Sequence, residues 1–297
     1  MKKLPVRSFL YHLHTLYLFT ASDFKTIVIP ETAFGVLGSL SGHLVTGKPP
    51  SLLTAIVGTP QVLFWTWINL LPFAIDNQRH PDAIREDQIN KPWRPLPSRR
   101  LTLQHAKLLM LAFYPAALLF SIYTGSTPQC LTLVFLGRAY NGLGSAGRSC
   151  IMRNLTNAAG FLCYASGATI VASQDCAVQN TKAYQWFGMI GLVILSTVQM
   201  QDMGDQQGDA ARGRKTVPLV VGDWNARLTI ALPVVIWSVL APAFWSLPRI
   251  GFVIPLLLGS LVSKRVLLNR TVREDNWTFG IWNVWMISLY LLPLVKG

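Results

Sequence analysis

Charge is scarce in this 297-residue chain, and acidic charge scarcer still: 13% of residues are charged, with 13 Asp+Glu against 26 Lys+Arg. A soluble domain usually carries about 25% charged residues, so water cannot cover this chain throughout. Cysteine is sparse too. Cys130, Cys150, Cys163 and Cys176 form no C-x-x-C pair and no zinc-ligand spacing, which argues against a zinc module and leaves them as small packing residues. There is no low-complexity tract, long linker or repeat of fixed period, so a modular or solenoid design is excluded. What is abundant is apolar length: 51% of residues are hydrophobic and the mean hydropathy is +0.38.

Crossing about 30 Å of hydrocarbon takes roughly 20 apolar residues. Nine runs approach that length, near 26–46, 51–75, 104–124, 128–147, 151–173, 183–201, 227–247, 249–264 and 277–295. The fold class expected is therefore all-α, a multi-pass transmembrane bundle of about nine helices. Basic residues gather in alternate loops. All but Lys48, Lys182, Arg249 and Lys296 fall in the N-terminal segment or in or beside the loops after spans two, four, six and eight. The positive-inside rule makes those loops and the N-terminus cytoplasmic. The basic excess thus reports topology and anionic ligands; no nucleic-acid patch and no protein partner is evident. Residues 1–25 are expected to lie on the bilayer surface as an amphipathic helix, because His12 and His14 interrupt any signal-peptide core. Residues 26–297 form the single transmembrane domain.

The few carboxylates are concentrated. Asp82, Glu86 and Asp87 follow span two; Asp202, Asp205 and Asp209 follow span six. Each loop carries an amide and two carboxyls at spacing four, Gln78–Asp82–Glu86 and Gln201–Asp205–Asp209, which on a helix form one face. Either these are solvated charges paired with nearby Arg and Lys, or a cation fills the stripes. Two such clusters on one membrane face favour the second reading. Hard oxygen ligands beside a phosphate suit Mg²⁺, and two facing stripes can clamp a diphosphate through it. Lys91, Arg94, Arg99 and Arg100 follow the first stripe, and Arg212, Arg214 and Lys215 the second. Lys91, Arg94, Arg212 and Lys215 are the candidates to neutralise the remaining diphosphate charge.

The first loop, Asn77…Asp82…Asp87-x-x-Asn-Lys-Pro-x-Arg-Pro-Leu-Pro-Ser, and the second, Asp202-x-x-Asp205-x-x-Gly-Asp209-x-x-Arg-Gly-Arg-x-Thr-x-Pro, resemble the UbiA superfamily of intramembrane prenyltransferases over nearly the whole chain. The resemblance implies nine spans around a central cavity and Mg²⁺ bound by both motifs. It carries metal-ligand roles to Asn77, Asp82, Glu86, Asp87, Asp202, Asp205 and Asp209, with Asp82, Asp205 and Asp209 at the heart of catalysis. It also implies an isoprenyl diphosphate substrate within the lipid bilayer, at the endoplasmic reticulum or another endomembrane. The family spaces its first motif at four and four. Here Asn77, Asp82 and Asp87 are spaced five and five, which scatters them around a regular helix. Pro81 favours a helix start, so the helix is expected to restart there. Glu86 and Asp87 both remain candidates for the last acidic role.

The segment Ser22–Gly35, with this first motif, looks like the fungal branch containing UbiA-type terpene cyclases. Such enzymes ionise farnesyl or geranylgeranyl diphosphate and cyclise the cation. A prenyltransferase using an aromatic or other acceptor is the alternative, and a transporter the alternative from another class. Lys25, Tyr140 and Asn141 are further substrate-binding candidates, although Tyr140 and Asn141 inside span four serve equally as interhelical hydrogen-bond partners. Glu31, a carboxyl within span one, is a functional candidate or a cap on a broken helix.

Overall fold

A computed structural model describes residues 8–46, 48–142, 145–173 and 181–296. Lys2, Lys3, Arg7 and Cys176, together with positions 143 and 144 of the expected fourth span, lie outside the described residues. Among the described residues there are helices and turns but no strand. In chain order the helices are α1 (Phe9–Asp23), α2 (Ile29–Ser41), α3 (Leu52–Gln78), α4 (Pro81–Asn90), α5 (Leu103–Tyr123), α6 (Thr127–Gly137), α7 (Ser145–Arg148) and α8 (Cys150–Ser173). They continue as α9 (Thr181–Thr197), α10 (Gln206–Arg212), α11 (Val217–Val221), α12 (Asp223–Phe244), α13 (Val253–Leu268), α14 (Val272–Tyr290) and α15 (Leu292–Lys296).

Starts and stops follow local chemistry. The Ser51, Thr102 and Thr271 side chains accept a backbone N–H from the first turns of α3, α5 and α14, satisfying donors that a helix leaves open. Gly213, at φ 73°, ends α10 in a left-handed turn that costs glycine little. Pro248 sits in the short connection between α12 and α13, which packs them as a hairpin.

Six helical stretches are long and apolar enough to cross a membrane: Leu103–Tyr123, Cys150–Ser173, Thr181–Asp202, Asp223–Phe244, Arg249–Leu268 and Val272–Lys296. The count of nine is not reached by that measure among the described residues, and the other three expected spans show why. α3 is 27 residues long but carries Asn69, Asp76 and Asn77 along it. The first expected span belongs to a helical run from Phe9 to Ser41 interrupted by a π turn at Phe24–Val28, and the boundary expected at residue 25 falls within that turn. The fourth expected span is broken: α6 runs into a second π turn at Arg138–Gly142.

The core is aromatic. Trp65, Trp186, Trp245, Trp282 and Trp285 are fully buried. A side chain at Gly35 would overlap the Ala168 backbone, so α2 and α8 pack at a separation only glycine permits. The outer faces are apolar and exposed, with Leu119, Ile122, Leu257 and Leu232 each more than half accessible. That surface suits hydrocarbon rather than water.

Candidate active site

The two acidic loops meet. α4 and α10 pack side by side at one end of the bundle, and Asn90, the last residue of α4, holds them together. Its Nδ2 donates to the Asp205 carbonyl (2.9 Å), while its Oδ1 accepts from the Gly208 N–H (3.1 Å). Any side chain at Gly208 would overlap the Asn90 amide. Ion pairs cross the same seam. Lys91 Nζ pairs with Asp205, Arg212 Nη1 lies 2.8 Å from Glu86 Oε2, and Arg214 Nε lies 3.3 Å from that oxygen.

Beneath the seam is a cavity of about 460 Å³, within the range of small-molecule sites. Its rim carries Asp23, Lys25, Asn77, Glu86, Lys91, Arg94, Arg153, Asp205 and Arg214; deeper, it is lined by Leu70, Phe73, Leu133, Leu136, Phe161 and Tyr164. Both π turns face it, through Lys25, Thr26 and Ile27 in one and Tyr140 in the other. An inserted residue re-aims side chains, and such turns recur at functional sites.

Of the residues expected from the sequence, Asn77, Glu86, Lys91, Arg94, Lys25, Tyr140 and Asp205 line the cavity. Asp82 does not. The helix restarts at Pro81, after His80 in extended conformation, and Asp82 stands in the exposed first turn, 3.7 Å from Arg85. The same break removes Gln78 from the expected stripe: buried at the end of α3, it donates to the Phe19 carbonyl (2.7 Å).

Four more expected ligands stand behind the wall. Asp87 holds Arg94 (2.8 and 3.1 Å), and Asp202 holds Arg153 (2.6 Å), whose Nη1 also donates to the Tyr140 hydroxyl (2.6 Å). Asp209 is buried, 3.4 Å from Arg214, and burial pushes its carboxyl up to about 7 against the pull of Arg153 and Arg214. Asn141 donates to Asp76 (3.3 Å), linking two helices. Lys215 is exposed outside the cavity, and Arg212 reaches the rim only by way of Glu86. Glu31 lies away from the cavity and accepts from the Tyr290 hydroxyl (3.1 Å).

Several rim residues escaped the sequence reading. Arg153 counted there only as topology, and Asp23 had no acidic neighbour to mark it. Their signal is depth: each is a charge at the end of an apolar run.

Among the described residues, no three His, Cys, Asp or Glu side chains converge as a preformed metal cluster. Mg²⁺ commonly binds through one or two carboxylates completed by substrate phosphates, and the rim has that composition. Asn77 Oδ1 and Asp209 Oδ2 are buried without a hydrogen-bond partner, and so is the donor Arg94 Nε. Unsatisfied buried groups are costly; of these, the Asn77 oxygen and the Arg94 N–H belong to the cavity lining and suit a cation and an anion, whereas Asp209 stands behind it. Glu86, Asp205 and Asn77 could therefore hold Mg²⁺ against a diphosphate.

The architecture is that of a helical membrane bundle with a cavity whose rim is charged by both motifs and whose deeper wall is apolar. Residues 52–287 match the UbiA prenyltransferase family, and the chain belongs to that family as an integral membrane protein. It is 31% identical over 293 residues to the fumagillin beta-trans-bergamotene synthase af520 of Aspergillus fumigatus, covering 98% of this chain and 94% of that one. It is 30% identical to the polyprenyl transferase eriF of Hericium erinaceus, covering 91% and 90%. The fold matches a UbiA homolog from Archaeoglobus fulgidus bound to GPP and Mg²⁺, with a TM-score of 0.63 at 15% identity over 94% of this chain and 99% of that one.

Proposed function

We propose that the protein is a Mg²⁺-dependent terpene cyclase that ionises farnesyl or geranylgeranyl diphosphate and closes the resulting cation on itself. The observation that carries the reading is the seam: both motifs share one rim above a cavity whose deeper wall carries Leu70, Phe73, Leu133 and Phe161. The identity to a terpene synthase over almost the full chain supports it.

Mg²⁺ held by Glu86, Asp205 and Asn77 would supply positive charge opposite the departing diphosphate. Lys91, Arg94, Arg214 and Lys25 stand around the same rim and neutralise charge that develops as the allylic C–O bond breaks. Fixed charge of this kind is commonly the largest catalytic contribution. Asp87, Asp202 and Asp209 hold Arg94, Arg153 and Arg214 in place, and Asp82 takes no part. The chain tail lies among Leu70, Phe73, Leu133 and Phe161, the apolar deeper wall of the cavity. Phe73 and Phe161 in that wall are the aromatic rings that could stabilise a desolvated cation, by about 2 kcal/mol each. The motif loops face the cytosol, where the basic loops gather.

A prenyltransferase is the second reading, favoured by the 30% identity to a polyprenyl transferase. Product analysis of purified protein supplied with prenyl diphosphate alone separates the two. A cyclase releases cyclic terpene and diphosphate without any acceptor, whereas dependence on an added acceptor would establish the transferase. The transporter alternative has no support from membership of an enzyme family, and it would return only if Asp205→Ala left turnover intact.

A further inference from the structure

The cavity wall contributed by α8 changes character along its length. Arg153, Thr156, Asn157, Gly160, Phe161 and Tyr164 all line it, a spacing that keeps them on one helical face. At about 1.5 Å rise per residue, Asn157 sits roughly 6 Å below Arg153 and Tyr164 about 16 Å below it. Asn157 therefore lies past the rim, level with the chain rather than with the diphosphate. Its amide makes no hydrogen bond to any described residue, and Nδ2 is buried. Asn154, one turn earlier, contrasts with Asn157: it donates to Gln199 Oε1 (3.0 Å) in the ordinary interhelical manner.

A prenyl chain offers no hydrogen-bonding group, so substrate alone cannot satisfy this amide, and an unsatisfied buried polar group costs on the order of 1–3 kcal/mol. A water molecule can satisfy it, since ordered water settles where buried polar groups lack partners. We infer that Asn157 holds a water beside the prenyl chain and that this water captures the cyclised cation, so that the principal product is a cyclic terpene alcohol rather than a hydrocarbon. The inference rests on the cyclase reading above. In the step, the water oxygen forms the new C–O bond to the carbocation, and the resulting oxonium passes its proton to the departed diphosphate. Water is consumed and nothing is oxidised or reduced. Asn157 acts through the water and is a positioning residue.

The test is turnover of farnesyl and geranylgeranyl diphosphate by the full-length protein in H₂¹⁸O, with mass analysis of the cyclic products. The expected result is a cyclic alcohol carrying ¹⁸O. Cyclic hydrocarbon without incorporated oxygen overturns the inference and leaves the cyclase reading intact. No cyclic product without an acceptor overturns both. Asn157→Leu is expected to lower the alcohol-to-hydrocarbon ratio roughly tenfold, the scale of one lost hydrogen bond to a buried water, while diphosphate release continues. Asn157→Gln should restore part of the alcohol. A ratio unchanged in Asn157→Leu also overturns the inference; if that variant fails to fold, the isotope result on the native protein still decides.

Discussion

Replacing Asn90 by alanine removes its own two hydrogen bonds to the second acidic loop, at 2.9 and 3.1 Å, and leaves the ion pairs across the seam in place. At about 1 kcal/mol each the loss is about 2 kcal/mol, which corresponds to roughly thirtyfold in rate if the clamp is needed in the transition state. Asn90 touches the polar rim and not the apolar wall, so the product pattern should stay unchanged. The assay is diphosphate release at saturating Mg²⁺ from protein in lipid nanodiscs, beside product chromatography. Gly208 supplies an internal control. An alanine there drives its Cβ into the Asn90 amide, so Gly208→Ala should lose at least as much activity as Asn90→Ala. In the double variant that collision is gone. The double variant should therefore be little worse than Asn90→Ala alone, a non-additivity that marks direct contact. Asn90→Ala activity within twofold of the native protein, or two losses that simply add, would refute the clamp.

Asp205→Asn and Glu86→Gln each should lower the rate of diphosphate release about a hundredfold or more, whereas Asp82→Asn, in an exposed turn, should stay within twofold by the same assay. Arg153→Leu strands the buried Asp202 carboxylate, so thermal unfolding should reveal about 3–5 kcal/mol of lost stability. Burial raises Asp209 from 3.8 to about 7. The folded state then binds the proton more tightly than the unfolded one, and ligand-free stability should fall as pH rises through that window. Asp209→Asn should flatten this slope in thermal melts taken across the same range, and an unchanged slope would count against it.

Much of this was legible from residue order alone. Long apolar runs fixed the helical class, and Pro81 marked the restart between α3 and α4. The acidic clusters marked the two loops that meet. What the sequence hid was direction. The i, i+4 stripe placed Asp82 with Glu86, but it could not show that only Glu86 is turned inward beneath Arg212 and Arg214. It also could not show that Lys91 and Arg212, read from the sequence as diphosphate ligands, and Arg214 would span the seam as ion-pair partners of Asp205 and Glu86. The π turns are invisible to apolar periodicity, because one inserted residue leaves composition untouched while rotating everything after it. Asp23 and Asn157 are legible only through the cavity they share, which neither displays in its own neighbourhood.

The central claim is that Glu86, Asp205 and Asn77 jointly bind diphosphate through Mg²⁺. Its most direct test is calorimetric binding of a non-ionisable prenyl thiodiphosphate to the purified protein, with Mg²⁺ and with chelator, in native and Asp205→Asn forms. Tight binding only with Mg²⁺, and lost in Asp205→Asn, is the predicted result. Equal affinity under chelation, or an unaltered affinity in Asp205→Asn, would contradict it.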